Sequence, residues 1–150
     1  MRGALFLVNG RGEPMDFSFA RVEVHASFLW RAGESRRQAV AALVRTLFTA
    51  ATHVPQLLIA LAEEVPATVF TEDLQVELPL CRVAAHTALA YASTESLEAL
   101  PDARHLFWVG TPPEAESEAR GLLDAIVARQ GLVEPFERAA LGLTEAYAST

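Results

Sequence analysis

The chain contains no lysine: all twelve of its basic residues are arginine. A Walker-type phosphate loop relies on a lysine to reach the terminal phosphates. Schiff-base enzymes need a lysine amine, and protein kinases a lysine paired with a helix glutamate. None of these can be assembled here in standard form. Cysteine is almost as scarce. Cys81 stands alone, which excludes an intrachain disulfide and a cysteine-rich zinc site. Long apolar runs are missing as well. The run Ala4 to Val8 stops at a turn, whereas a signal peptide needs a longer apolar region and a membrane span about twenty apolar residues. The expectation is a cytoplasmic protein with no membrane partner. Asn9 is the single asparagine and isoleucine occurs only at positions 59 and 126. With the arginine bias, this points to a GC-rich genome rather than to heat, because lysine depletion is not the general hyperthermophile signal.

What is present suits a globular domain. The 150 residues are 51% hydrophobic, enough to bury a core, and their number predicts one domain over residues 1–150. The net charge of -7 is unevenly placed. Residues 1–50 sum to +3 and the remaining hundred to -10. Nucleic-acid affinity is driven by phosphate neutralisation, so the acidic balance disfavours that partner. The arginines of the first half read as a solvated helix surface.

Ala4 to Val8 predicts a strand, Asn9 to Pro14 a turn, and the alternation of Met15, Phe17 and Phe19 with Asp16 and Ser18 a second strand. The apolar phase shifts after Phe19, to Ala20, Val22 and Val24, which predicts a bulge near Ala20. Ser35 is the expected N-cap of a helix running to about Thr52, with Val40, Leu43, Val44, Leu47, Phe48 and Ala51 on its core face. The continuous run Leu57 to Ala62 suits a central strand covered on both faces. Residues 66–73 predict one or two helical turns, and 75–83 a strand in which Pro79 favours an edge or bulge. Strands are expected at 86–92 and 104–109, a short helix at 94–100, and helices at 113–129 and 133–147.

This order predicts an α/β fold (with α+β the alternative) in a single domain. A mixed sheet would open with an antiparallel hairpin, with helices packed on it and two helices at the end. The segments Gly3-Ala4-Leu5-Phe6-Leu7, Gly12-Glu13-Pro14, Phe17 and Leu132-Val133-Glu134-Pro135-Phe136-Glu137-Arg138 are similar to an uncharacterised family of bacterial proteins. That family begins with a Gly-Ala-apolar strand and closes with a helical Glu-Pro-Phe-Glu-Arg segment, and the resemblance implies no particular activity. The strand-strand-helix-strand opening also loosely resembles the ribonuclease H-like order. Its nucleases carry an aspartate in the first strand, and Ala4 to Val8 has none.

Cys81 is the one thiol that could act as a nucleophile, with His86 five residues on, but its Leu-Pro-Leu-Cys setting favours packing. Glu63 and Glu64, together with Asp16, are the carboxylates that could hold a divalent metal for phosphoryl chemistry. The acidic pair Glu72-Asp73 is a lesser candidate, and solvated acids are the commoner outcome. Ser35, Arg36 and Arg37 at a helix start could bind an anion, although Glu34 works against it and a plain cap is favoured. His25, His53, His86 and His105 show no ligand spacing, and His25 beside the expected bulge is the one to inspect. Phe28, Trp30, Arg31, Phe107 and Trp108 combine aromatics with arginine as interfaces do, against core packing as the common alternative.

No cofactor or metal is called for. The leading expectation is a non-enzymatic subunit that binds another protein or a second copy. The alternatives are a metal-dependent nuclease-like domain using Asp16, Glu63 and Glu64, and a phosphate-ligand binder using Arg36 or Arg37.

Overall fold

A computed structural model describes residues 1–24, 31–84, 95–102 and 104–148. The fold is mixed α/β, with two sheets, of which one is mixed, and helices between and after them. The chain divides into two compact units: Met1–Val54 with Gly121–Thr150, called unit 1, and Pro55–Arg120, called unit 2.

Unit 1 opens with β1 (Arg2–Val8) and β2 (Pro14–Arg21), paired antiparallel. The turn between them is organised by Asn9, whose Oδ1 accepts the backbone N–H groups of Arg11 at 2.9 Å and Glu13 at 3.0 Å. Gly12 takes a φ of 78°, a conformation that only glycine adopts without a steric penalty. The hairpin forms a two-stranded sheet of its own rather than the opening of the mixed sheet. Its register break lies between Leu7 and Val8, opposite Pro14 to Asp16, and not near Ala20. The phase shift at Phe19 has another cause, because helices pack on both faces. Cross-strand register puts Ala4, Phe6, Phe17 and Phe19 on one face and Gly3, Leu5, Ser18 and Ala20 on the other.

Helix α1 (Ala32–Ala50) meets the second face, where Leu43 approaches Gly3 so closely that a Cβ there would lie 2.6 Å from Leu43 Cδ2. Helix α3 (Glu134–Ala148) meets the first face, with Gly142 beside the Phe17 ring and Tyr147 edge-on to Phe19 at 5.7 Å. Arg138 ties α3 to the turn by donating to the Gly12 carbonyl at 2.7 Å, with its guanidinium 5.1 Å from the Phe6 ring centre. Helix α2 (Glu118–Ala128) ends in a Schellman motif. Gly131 N–H donates to Ile126 O, Gln130 N–H donates to Val127 O, and Gln130 holds a φ of 55°.

Unit 2 contains β3 (Leu58–Leu61), β4 (Leu80–Ala84), β5 (Glu95–Ala99) and β6 (His105–Val109), in the order β3-β4-β6-β5. The β3–β4 pair is parallel and the other two pairs are antiparallel. Among the described strands β3 lies at an edge of this sheet, and β4, buried along its whole length, is flanked on both sides, the place expected for residues 57–62. Residues 67–73 form helical turns that end in a π-helical segment, Val69–Asp73. Pro79 lies just before β4, where its carbonyl accepts Leu58 N–H. The segment 95–99 is a strand and not a helix, because ladder pairing with β6 overrides the helix preference of Glu, Leu and Ala. The strand expected at 86–92 lies outside the described residues.

Candidate functional site

Cys81 is fully buried on β4, directly across from Trp108 on β6. Burial pushes its thiol pKa well above the ordinary range, the Glu98 charge adds to the push, and Arg120 partly opposes it. A nucleophilic cysteine needs its thiolate and access to substrate. Cys81 has neither, so it is a packing residue.

Trp108 and Phe107 are 0% and 2% exposed. The Trp108 indole N–H donates to Glu98 Oε1 at 3.3 Å. Arg120 Nη1 donates to both oxygens of Glu98, at 2.8 and 2.9 Å, and its guanidinium lies 5.3 Å from the Trp108 ring centre. In this Glu98–Arg120–Trp108 cluster the indole N–H and one guanidinium nitrogen are both spent on the Glu98 carboxylate. Arg82, 5% exposed, also turns inward, donating to the carbonyls of Ala62 at 3.3 Å and Val65 at 3.1 Å. Sequence reasoning missed Arg120 and Glu98, because nothing local brings residues 22 apart together.

Asp16 lies on β2 in unit 1, while Glu63 and Glu64 are exposed in the turn after β3 in unit 2. Among the described residues, no three His, Cys, Asp or Glu side chains gather where they could hold a metal ion. The donor set of a two-metal site is not assembled from these residues. Asp16 is occupied locally. Its Oδ1 accepts Phe17 N–H at 2.9 Å and its Oδ2 accepts the Thr52 hydroxyl at 3.0 Å. His53 Nδ1 lies 2.9 Å from the same hydroxyl oxygen. The trio resembles a catalytic set in composition only. Thr52 has one proton, and once it is given to Asp16, His53 can only donate to the oxygen. The group that accepts from the hydroxyl is the Asp16 carboxylate and not the imidazole. The trio instead fastens the end of α1 to the hairpin.

Ser35 is not the N-cap. Helix α1 starts at Ala32, capped by Arg31 without a side-chain bond, and the N–H groups of Glu34 and Ser35 both donate to Arg31 O. Ser35 therefore sits inside the helix, Arg36 is exposed, and Arg37 is half-buried with a partner of its own. The geometry that would gather an anion there is not formed. Phe28, Trp30, His25 and His86 lie outside the described residues, Arg31 and His53 are exposed, and His105 is half-buried on β6.

One surface feature remains. On β2, Met15 is 56% and Phe19 49% exposed, in line with the half-buried Phe17. Arg21 is the next residue on that face, and Arg2 stands opposite it on β1. The strand edge is blocked at its Pro14–Phe17 end. Pro14 has no N–H to offer, the register break sits beside it, and the Asp16 carboxylate takes the Phe17 N–H.

No family model, curated protein or solved structure matches this chain. The candidate surface stands on its geometry alone. No helix among the described residues is long and apolar enough to cross a membrane.

Proposed function

We propose that this protein is a non-enzymatic, cytoplasmic subunit that binds another protein chain through the hairpin face of unit 1. The observation that carries the reading is the half-exposed pair Met15 and Phe19 on a strand that continues into Arg21, opposite Arg2. Large apolar side chains beside arginine are what protein interfaces concentrate. Phe107 and Trp108 take no part, because both are buried.

The test is native mass by light scattering after size exclusion, on the purified protein and on protein drawn from its own cell extract. The expected result is a mass above the 16.3 kDa of one chain, or a stoichiometric second chain. Either should be lost when Met15→Ser and Phe19→Ser are combined. A monomer that carries nothing from the extract, or an assembly indifferent to both substitutions, rules the hairpin face out.

A further inference from the structure

The two arginines at the open end of the hairpin, Arg2 and Arg21, face each other across the strands. The neighbouring pair, Met1 and Val22, exchanges both backbone bonds, with Met1 N donating to Val22 O at 2.8 Å and Val22 N donating to Met1 O at 2.9 Å. In an antiparallel ladder the next pair is then non-hydrogen-bonded, with Cα atoms about 4.5 Å apart and side chains at their closest. Like charges in that position repel and destabilise the sheet. Both side chains are exposed. Among the described residues neither guanidinium has a carboxylate partner, although acids outnumber bases nineteen to twelve in this chain. Arg2 is held over the Tyr147 ring at 4.4 Å, and Tyr147 in turn stands edge-on to Phe19. Arg2 is thus held next to the apolar row, with Arg21 across the ladder from it.

We infer that Arg2 and Arg21 form a carboxylate-binding clamp that reads an acidic residue beside an apolar side chain on the partner protein. The inference rests on the interface reading above and gives that partner its chemistry. A carboxylate between the two guanidiniums removes their repulsion and accepts charge-assisted bonds from both. The adjoining apolar side chain packs on Phe19 and Met15. An acidic protein segment fits better than a nucleic acid, because the rest of the row is apolar and the net charge of the chain is -7.

The experiment uses a fluorescein-labelled peptide of alternating Leu and Glu, with its Gln and Lys counterparts, titrated against the full chain by anisotropy. Backbone amide shifts locate the binding. The Glu peptide should bind at Arg2, Phe19 and Arg21, and the Gln counterpart about tenfold more weakly, since bonds to a charged group are the stronger kind. Arg21→Ser should erase that preference and its salt dependence, while Arg21→Lys restores part of it and both variants keep the native amide spectrum. Equal affinity for the Glu and Gln peptides, or no binding by any of them, overturns the clamp. So does preferential displacement by inorganic phosphate or single-stranded RNA. If Phe19→Ser abolishes binding and Arg21→Ser does not, the clamp falls and the interface stands. If neither substitution matters, both fall.

Discussion

In unit 2 the largest side chains, Trp108, Phe107 and Leu106, lie buried along β6, and β4 is buried at every position. In unit 1 no hairpin residue is fully buried, α3 has no fully buried residue, and β2 keeps two large apolar side chains about half exposed. The polar groups follow the same division. Unit 2 closes Glu98, Arg120 and the Trp108 N–H on one another, whereas unit 1 leaves Arg2 and Arg21 facing each other. A region that turns most of its charged donors and apolar surface inward, as unit 2 does apart from exposed Leu97 and a buried His105 Nδ1 with no hydrogen-bond partner among the described residues, is built for stability. One that holds both in surplus is built to be completed from outside.

The sharpest way to break this contrast is to remove one aromatic from each unit. Trp108→Ala should cost about 3–5 kcal/mol, as truncation of a buried aromatic does. Phe19→Ser should cost under about 1 kcal/mol, because a half-exposed side chain gives up little on truncation. Denaturant unfolding of the two variants decides it, and equal losses would erase the distinction. Cys81 supplies a second test through pH. Its thiol stays protonated when folded, while the unfolded thiol ionises above about pH 8.5. Its contribution is therefore complete below that pH and is lost as pH rises, by up to about 1.4 kcal/mol per unit. The slope should be shallower in Cys81→Ala than in the parent protein, and a thiol reagent should label Cys81 only on unfolding.

Smaller effects sharpen the comparison. Glu98→Gln weakens the paired bonds to Arg120 and should cost about 1–2 kcal/mol, read from the denaturation midpoint. In unit 1, Gln130→Gly relieves a left-handed residue at the end of α2 and should gain about 0.5 kcal/mol, visible as a raised Tm.

The parts of this fold that were legible in the sequence are those written in local chemistry. Strand β6 follows from the run His105 to Val109, and the hairpin from Asn9 to Pro14 set between apolar runs. Both terminal helices follow from their periodicity. What was misread depends on distant partners. Residues 95–99 are good helix formers held as a strand by pairing with β6. The run 57–62 is apolar throughout yet lies at an edge among the described strands, because apolar character alone does not fix strand order. The shift at Ala20 mimics a bulge because both hairpin faces are packed. Ser35 has the chemistry of a cap, but the chain turns helical three residues earlier. Of the surface row, Phe17 and Phe19 were visible as one face of a strand. The opposition of Arg2 and Arg21 was not, because register across a turn is needed to see it.

The bond from Arg138 to the Gly12 carbonyl spans 126 positions of sequence. During synthesis, residues 55–120 are complete before α3 has been made, so unit 2 has its whole sequence available while the hairpin still lacks the helix that covers one of its faces. Contacts this distant in sequence are slow to form, because the closure entropy of a long loop comes before any reward. The aromatic face of the hairpin is therefore bare until the last helix has been made. A nascent chain should associate through that face first, before α3 arrives to cover the part of it around Phe6 and Phe17.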